Sequence, residues 1–159
     1  MHKPKKTIPF TPEKYAAMQQ KVAELQKLRE EVMERLIIAR EMGDLSENGA
    51  YKYAKFELGT IGRQLKQLNH LLEVGFPQER LETAAEVVDF GSVVTIKKND
   101  GSGIQKTFTV VSKHESNPVE GLLAYTSPMG KAVLKKKTGA VVSIQTPRGI
   151  SEYTIISIE

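Results

Sequence analysis

Asp44 and Glu47 stand three residues apart in Gly43-Asp44-Leu45-Ser46-Glu47-Asn48, with Arg40 before them and Lys52 and Lys55 after. Two carboxylates so close together offer a compact pair of anionic oxygens. Spacing alone leaves an ordinary reading open. Asp favours turns, and Glu is stabilised in the first turn of a helix by the helix dipole. The three cations are equally open to a plain role as solvated charges or partners of Glu41 and Glu47, worth a few tenths of a kcal/mol each, about what exposed pairs contribute. The pair stands between two long helical patterns, and how those patterns pack decides where it is carried.

Before the turn, apolar residues recur as Tyr15, Met18, Val22, Leu25, Val32, Leu36 and Ala39. After it they run Tyr51, Ala54, Leu58, Ile61, Leu65, Leu68 and Leu72. Alternating steps of three and four put an apolar seam on one side of each helix. Folding the chain back at the turn brings the seams together, with facing position numbers totalling about 90 in an antiparallel register. Thr11, Pro12 and Glu13 are good first-turn residues for helix one, which is expected to run to about Met42 and stop at Gly43. Ser46 is expected to cap helix two, with Glu47 in its first turn. Gly75 and Pro77 end that helix. Each arm of roughly 30 residues then measures about 45 Å, and Asp44 and Glu47 ride at the far end. Arg29 interrupts the seam, with Leu28 beside it to take over the contact. Gly59 and Gly62, each costing about 1 kcal/mol relative to Ala, mark a soft or closely packed zone at that level.

Composition is that of an ordinary soluble domain pair: 159 residues, 26% charged and 40% hydrophobic, with no cysteine. That excludes disulfides and thiolate metal sites. His2, His70 and His114 lack metal-ligand spacing, and no run of residues is apolar enough to span a bilayer. The basic start, Met1-His2-Lys3-Pro4-Lys5-Lys6, lacks the features of a secretory signal, so a cytoplasmic protein without membrane contact is expected. Residues up to Arg80 carry 14 basic and 11 acidic side chains and the rest carry 9 and 8, giving +3 and +1 of the net +4. So small an excess does not argue for tight binding to bare duplex DNA. No Walker loop, nucleophile elbow or dinucleotide fingerprint is present.

After a linker at about 76–88 the period changes to that of strands. Two β-branched runs, 91–97 and 106–111, flank the turn Asn99-Asp100-Gly101; a third short strand falls near 122–125 and a final hairpin crosses Thr146-Pro147-Arg148-Gly149. Ser127-Pro128 starts a short helix. The fold class is therefore α+β: a helical hairpin over 1–80 and a small antiparallel sheet with one short helix over 81–159.

Two stretches resemble one family. Ala39-Arg40-Glu41-Met42-Gly43-Asp44-Leu45-Ser46-Glu47-Asn48-Gly49-Ala50-Tyr51 is similar to the tip signature of the bacterial Gre transcript-cleavage factors. Ser127-Pro128-Met129-Gly130-Lys131-Ala132-Val133-Leu134, Lys137-Thr138-Gly139 and Thr146-Pro147-Arg148-Gly149 match its second domain. The tip reads as GreA-like, whereas Tyr51-Lys52-Tyr53 and Leu134-Lys135-Lys136 lean towards GreB; GreA-like is favoured. The resemblance implies an antiparallel coiled coil plus an FKBP-like domain, and RNA polymerase as partner. It implies that the coiled coil enters the polymerase's secondary channel and stimulates cleavage of backtracked RNA. By the same resemblance, Asp44 and Glu47 act on a Mg²⁺ shared with the polymerase and on the attacking water. Arg40, Lys52 and Lys55 lie near the RNA 3′ end or the channel, and Ser127, Pro128 and Met129 form the docking surface. The factor itself is then no enzyme, holds no cofactor when free, and is a monomer. Three rivals follow from the same residues: a Gre-fold inhibitor of the channel, a prolyl isomerase in the second domain, and a coiled-coil adaptor for another partner. The intact acid pair argues against the inhibitor, and the few aromatics after Pro77 argue against an isomerase pocket.

Overall fold

The structure is a computed structural model and describes residues 5–44, 46–80 and 86–159. These residues form two compact units: 5–8 with 13–76, and 9–12 with 77–80 and 86–159. In chain order the elements are β1 (Ile8–Phe10), α1 (Pro12–Glu41), α2 (Gly49–Val74), β2 (Gly75–Pro77), β3 (Val93–Lys98) and β4 (Gln105–Val111). Then come a 3₁₀ turn (Pro118–Glu120), β5 (Leu122–Ala124), α3 (Pro128–Val133), β6 (Val141–Thr146) and β7 (Gly149–Ile158).

The first unit is the helical hairpin. Leu25, Val32, Ala54, Ile61 and Leu65 are buried in one cluster, with Val22, Leu28, Leu36, Leu58 and Leu68 packed against it. These are the seam residues, joined by Leu28 in place of exposed Arg29. Three contacts fix the antiparallel register: Tyr15 Oη donates to the Leu72 carbonyl, Arg35 pairs with Glu57 at 3.1 Å, and Asn48 Nδ2 donates to the Ala39 carbonyl. All three agree with the facing positions expected from the heptads. Gly59 and Gly62 are exposed, and a Cβ at Gly62 would meet nothing. Of the two alternatives expected there, a soft zone or a closely packed one, the closely packed one is absent: both glycines face solvent.

Helix α1 begins at Pro12, whose missing N–H would have been unpaired anyway. Thr11 just before it gives its N–H and its hydroxyl to the buried Glu115 carboxylate, at 3.1 and 2.5 Å. With Phe10 fully buried and its ring 6.1 Å from that of His114, these contacts explain why 9–12 belong to the second unit.

The second unit is a five-stranded sheet in the order β5-β4-β3-β7-β6. Alternation puts Val94 and Ile96, Phe108 and Val110, Val142 and Ile144, and Tyr153 and Ile155 on one face, where Val88 and Val133 complete the core. The register shifts between Thr95, opposite Ser157, and Ile96, opposite Ile155, so the bulge lies in β7 at Ile156, which is exposed while Ile155 stays in the core.

The sheet departs from the expected all-antiparallel form, because β5 runs parallel to β4. The 3₁₀ turn at Pro118–Glu120 and Gly121, at φ +72°, reorient the chain between the two strands. Part of the expected linker is ordered: Gly75–Pro77 is a strand, and Gly75 is extended rather than left-handed. Residues 81–85 of that linker lie outside the described residues. No helix among the described residues is long and apolar enough to cross a membrane.

Candidate functional site

The turn between α1 and α2 is built by local hydrogen bonds. Gly43 sits at φ +122°, a region that L side chains rarely adopt, so the chain leaves α1 through a glycine. Asp44 Oδ1 then accepts from the Ser46 N–H at 3.0 Å and from the Ser46 hydroxyl at 2.8 Å. Ser46 is thus spent on Asp44 and does not cap helix two. Asn48 does, accepting from the Tyr51 N–H at 3.1 Å through Oδ1. Its Nδ2 meanwhile donates to the last buried carbonyl of the facing arm, Ala39, at 2.6 Å. One amide side chain closes both helix ends, which a hydroxyl with a single proton and no reach across the hairpin does less well. The helix consequently starts at Gly49, and Glu47 lies in the turn rather than in the first helical turn.

Asn48→Ala removes both bonds. We expect a loss of about 1–2 kcal/mol, a cap contribution plus one lost hydrogen bond to the Ala39 carbonyl, which keeps only the Met42 N–H at 3.3 Å, seen as faster hydrogen exchange at Tyr51 and the tip amides. Asn48→Asp should recover most of the α2 cap and none of the Ala39 contact.

Asp44 and Glu47 are both exposed. Asp44 Oδ2 and the Glu47 carboxylate accept no hydrogen bond among the described residues, so both are open to an external ligand. The backbone and then the hydroxyl hydrogen bonds from Ser46 hold the Asp44 carboxyl below the ordinary aspartate value. The sign follows: the anion and the turn it braces persist at and above the usual carboxylate range, and are lost only as pH falls through the lowered value. Two carboxylates fit part of an octahedral oxygen shell, the share that Mg²⁺ commonly takes from protein. They do not make a complete site, and no group of three His, Asp or Glu capable of holding a metal occurs among the described residues.

Arg40 ends α1 where a cation suits the helix dipole. Arg40, Lys52 and Lys55 are all exposed, and none forms an ion pair among the described residues. The pairing with Glu41 or Glu47 allowed by their spacing does not occur. At about 100° per residue, Arg40 and Lys55 fall on one flank of the hairpin. The other flank carries Ile38, Met42 and Tyr53 around a shallow concavity. Nothing in the heptad pattern distinguishes these three from other non-seam positions.

The second cluster of expected residues opens α3. Ser127 Oγ accepts from the Gly130 N–H at 3.0 Å and caps the helix. Pro128 is exposed, while Met129 packs against the sheet core and rims a concavity of about 430 Å³ with Phe108, Leu122 and Leu123. Of the three, Pro128 presents itself to solvent most fully.

Comparison with known proteins agrees with this two-unit layout. Residues 8–74 match the family described as "Transcription elongation factor, N-terminal", and residues 83–159 match "Transcription elongation factor, GreA/GreB, C-term". Transcription elongation factor GreA of Thermosipho melanesiensis is 37% identical over 156 residues, covering 98% of both chains. The GreA of Bacillus cytotoxicus is 36% identical over 155 residues, covering 97% of this chain and 98% of that one. Among solved structures, GreA factor homolog 1 of Thermus thermophilus is 28% identical over 96% of this chain and 98% of its own, with a TM-score of 0.43. By sequence identity over its whole length, this chain belongs to the GreA/GreB family of transcription elongation factors.

Proposed function

We propose that this protein binds RNA polymerase in the cytoplasm as a monomer, places its helical hairpin in the channel that leads to the active site, and stimulates the polymerase's own cleavage of backtracked RNA. The observation that carries the reading is the exposed pair Asp44 and Glu47, neither in an ion pair among the described residues, at the end of an α1 helix of 30 residues, about 45 Å of stiff rod. A site built for use alone would enclose its carboxylates and complete their ligand set. This one holds them out on a braced turn.

In that role Asp44 and Glu47 would supply the protein's share of the ligands to a Mg²⁺ held jointly with the polymerase. When bound, that ion polarises a phosphate oxygen and acidifies water. The rest falls to this chain's own groups. Ser46 keeps Asp44 ionised and oriented, and Asn48 locks the turn to both arms, so that little ordering remains to be done on arrival. Arg40, Lys52 and Lys55 offer unpaired cations to RNA phosphates near the tip. Ser127, Pro128 and Met129 are assigned to docking on the polymerase, with Pro128 as the exposed contact.

The test uses purified elongation complexes halted in a backtracked register. Adding the protein should shorten the RNA from its 3′ end and restore elongation, and the protein should co-elute with polymerase. Failure to co-elute, with RNA length unchanged, would overturn the reading.

A further inference from the structure

Asn48 is followed by Gly49, and no other asparagine of the chain precedes a glycine: Asn69 precedes His70, Asn99 precedes Asp100 and Asn117 precedes Pro118. The pairing bears on chemistry, because an asparagine carboxamide can be attacked by the backbone nitrogen of the next residue. A glycine leaves that nitrogen uncrowded and the backbone around it free to turn. A proline there has no N–H to lose. Nothing in the fold asks for glycine at position 49. It is exposed, its φ is not positive, and a Cβ there would meet nothing within 4 Å.

The second requirement is geometric, and the folded tip opposes it. Asn48 sits at φ −77° and ψ 97°. At that ψ the Gly49 nitrogen points away from Cβ across the Cα–C bond and does not reach Cγ. Both ends of the carboxamide are occupied as well, Oδ1 by the Tyr51 N–H at 3.1 Å and Nδ2 by the Ala39 carbonyl at 2.6 Å. Ring closure therefore needs the cap open and ψ turned. A half-buried residue beside an exposed turn reaches such states by local opening, well short of global unfolding.

We propose that Asn48 is a site of spontaneous deamidation, gated by the cap that it makes, and that the product unfastens the turn carrying Asp44 and Glu47. The Gly49 nitrogen attacks Cγ and gives its proton to solvent base. The new C–N bond closes a succinimide ring, and the carboxamide nitrogen leaves as ammonia. Water then opens the ring at one of its two carbonyls. Opening at Cγ leaves an aspartate at position 48, and opening at the backbone carbonyl leaves an isoaspartate, whose main chain runs on through Cβ and Cγ. Either product loses the Nδ2–H group that closes on Ala39 and sets a negative charge near that carbonyl. Aspartate can still accept from the Tyr51 N–H. Isoaspartate does not restore the cap, because its Cγ now belongs to the main chain and one extra backbone atom separates Glu47 from α2.

The same ring can form at Asp100-Gly101, but there it proceeds through the protonated carboxyl. Hydrogen bonds from Lys98 and then Ser102 hold Asp100 ionised well below the ordinary aspartate range, which makes it the slower site.

The test needs no polymerase. The full-length protein is aged at mildly alkaline pH, folded and in denaturing urea, and mapped by peptide mass spectrometry. Labelled S-adenosylmethionine and an isoaspartyl methyltransferase count the isoaspartate. Position 48 should convert first in both states, and about 5–30-fold more slowly in the folded protein, the factor that a cap of ordinary strength sets on opening. Gly49→Ala should bring conversion at 48 down to the level of Asn69 in both states, with the Tyr51 amide as protected as before; the open space at Gly49 lets this variant fold. The isoaspartyl form, separable by its added negative charge, should exchange the Tyr51 amide at least about fivefold faster, with the middle of both helices unchanged. Conversion first at Asn99 or Asp100, or an unchanged rate in Gly49→Ala, would overturn the site. Equal folded and unfolded rates, or no folded-state conversion while the unfolded chain converts fully, would overturn the gating. A Tyr51 amide as protected in the isoaspartyl form as in the natural protein would overturn the consequence drawn for the turn.

Discussion

Gly130→Ala should strip the second unit of its stability while leaving the helical hairpin folded. Gly130 is buried in the first turns of α3, and a Cβ there would lie 2.2 Å from the Ala124 carbonyl oxygen and 2.8 Å from the Tyr125 Cα. Both neighbours are backbone, and both are pinned. The Ala124 carbonyl accepts from the Ser127 N–H, and the Tyr125 N–H donates to the Val111 carbonyl in β4. No flexible side chain can give way, so the helix must shift off β5 and drag Val133 from the core it fills. Overpacking costs typically 1–3 kcal/mol and more where relaxation is blocked; we expect about 3 kcal/mol or above. For a unit of this size that lowers the melting temperature by more than about 10 °C. Hydrogen exchange reads the two units separately. The β3, β4 and β7 amides should lose protection and those of α1 and α2 should keep it. Unchanged protection in the sheet would mean that α3 does not press on β5 as described. On the docking role proposed for Ser127, Pro128 and Met129, which open the same helix, the variant should also lose polymerase binding.

Much of the hairpin was legible because its determinants are local and periodic. The seam repeats over seven positions in each arm, Pro12 marks a start and Gly43 a stop. The structure returns α1 at Pro12–Glu41 and the antiparallel register. Spacing does not decide the cap of α2, since Ser46 and Asn48 are both good caps and stand two residues apart. The choice turns on the Asn48 bond to Ala39 across the hairpin, a tertiary contact that spacing does not encode. Spacing likewise leaves open whether Gly59 and Gly62 serve a close approach or only soften the helix, and the open space around them removes the first. In the second unit, alternation located β3, β4, β6 and β7. The three residues Leu122-Leu123-Ala124 have no period to show, and their parallel pairing is set by the turn before them. At the candidate site, the exposure of Asp44 and Glu47 followed from their position at a turn. That Met129 faces the core while Pro128 faces out depends on how α3 sits on the sheet, and the apolar flank of Ile38, Met42 and Tyr53 appears only once the arms are side by side.

Removing the tip carboxylates should have the largest functional effect of any change in this chain. Both are exposed, and among the described residues neither makes a side-chain hydrogen bond or ion pair beyond the bonds of Asp44 with Ser46. Substitution should therefore leave folding and docking intact. If the pair positions reactants, its loss should slow stimulated cleavage by roughly 10²-fold or more, the scale on which misplaced catalytic groups are felt. Neutralising one carboxylate should remove most of the effect, because two ligands of one incomplete shell act as a unit.

The most direct measurement compares the natural protein with Asp44→Asn/Glu47→Gln, which keeps side-chain shape and removes both charges. Cleavage of backtracked RNA is followed at matched polymerase occupancy and a fixed Mg²⁺ concentration. We expect the variant to bind polymerase as the natural protein does and to leave cleavage at the polymerase's unassisted rate. Cleavage at the natural protein's rate would contradict the role given to the two carboxylates.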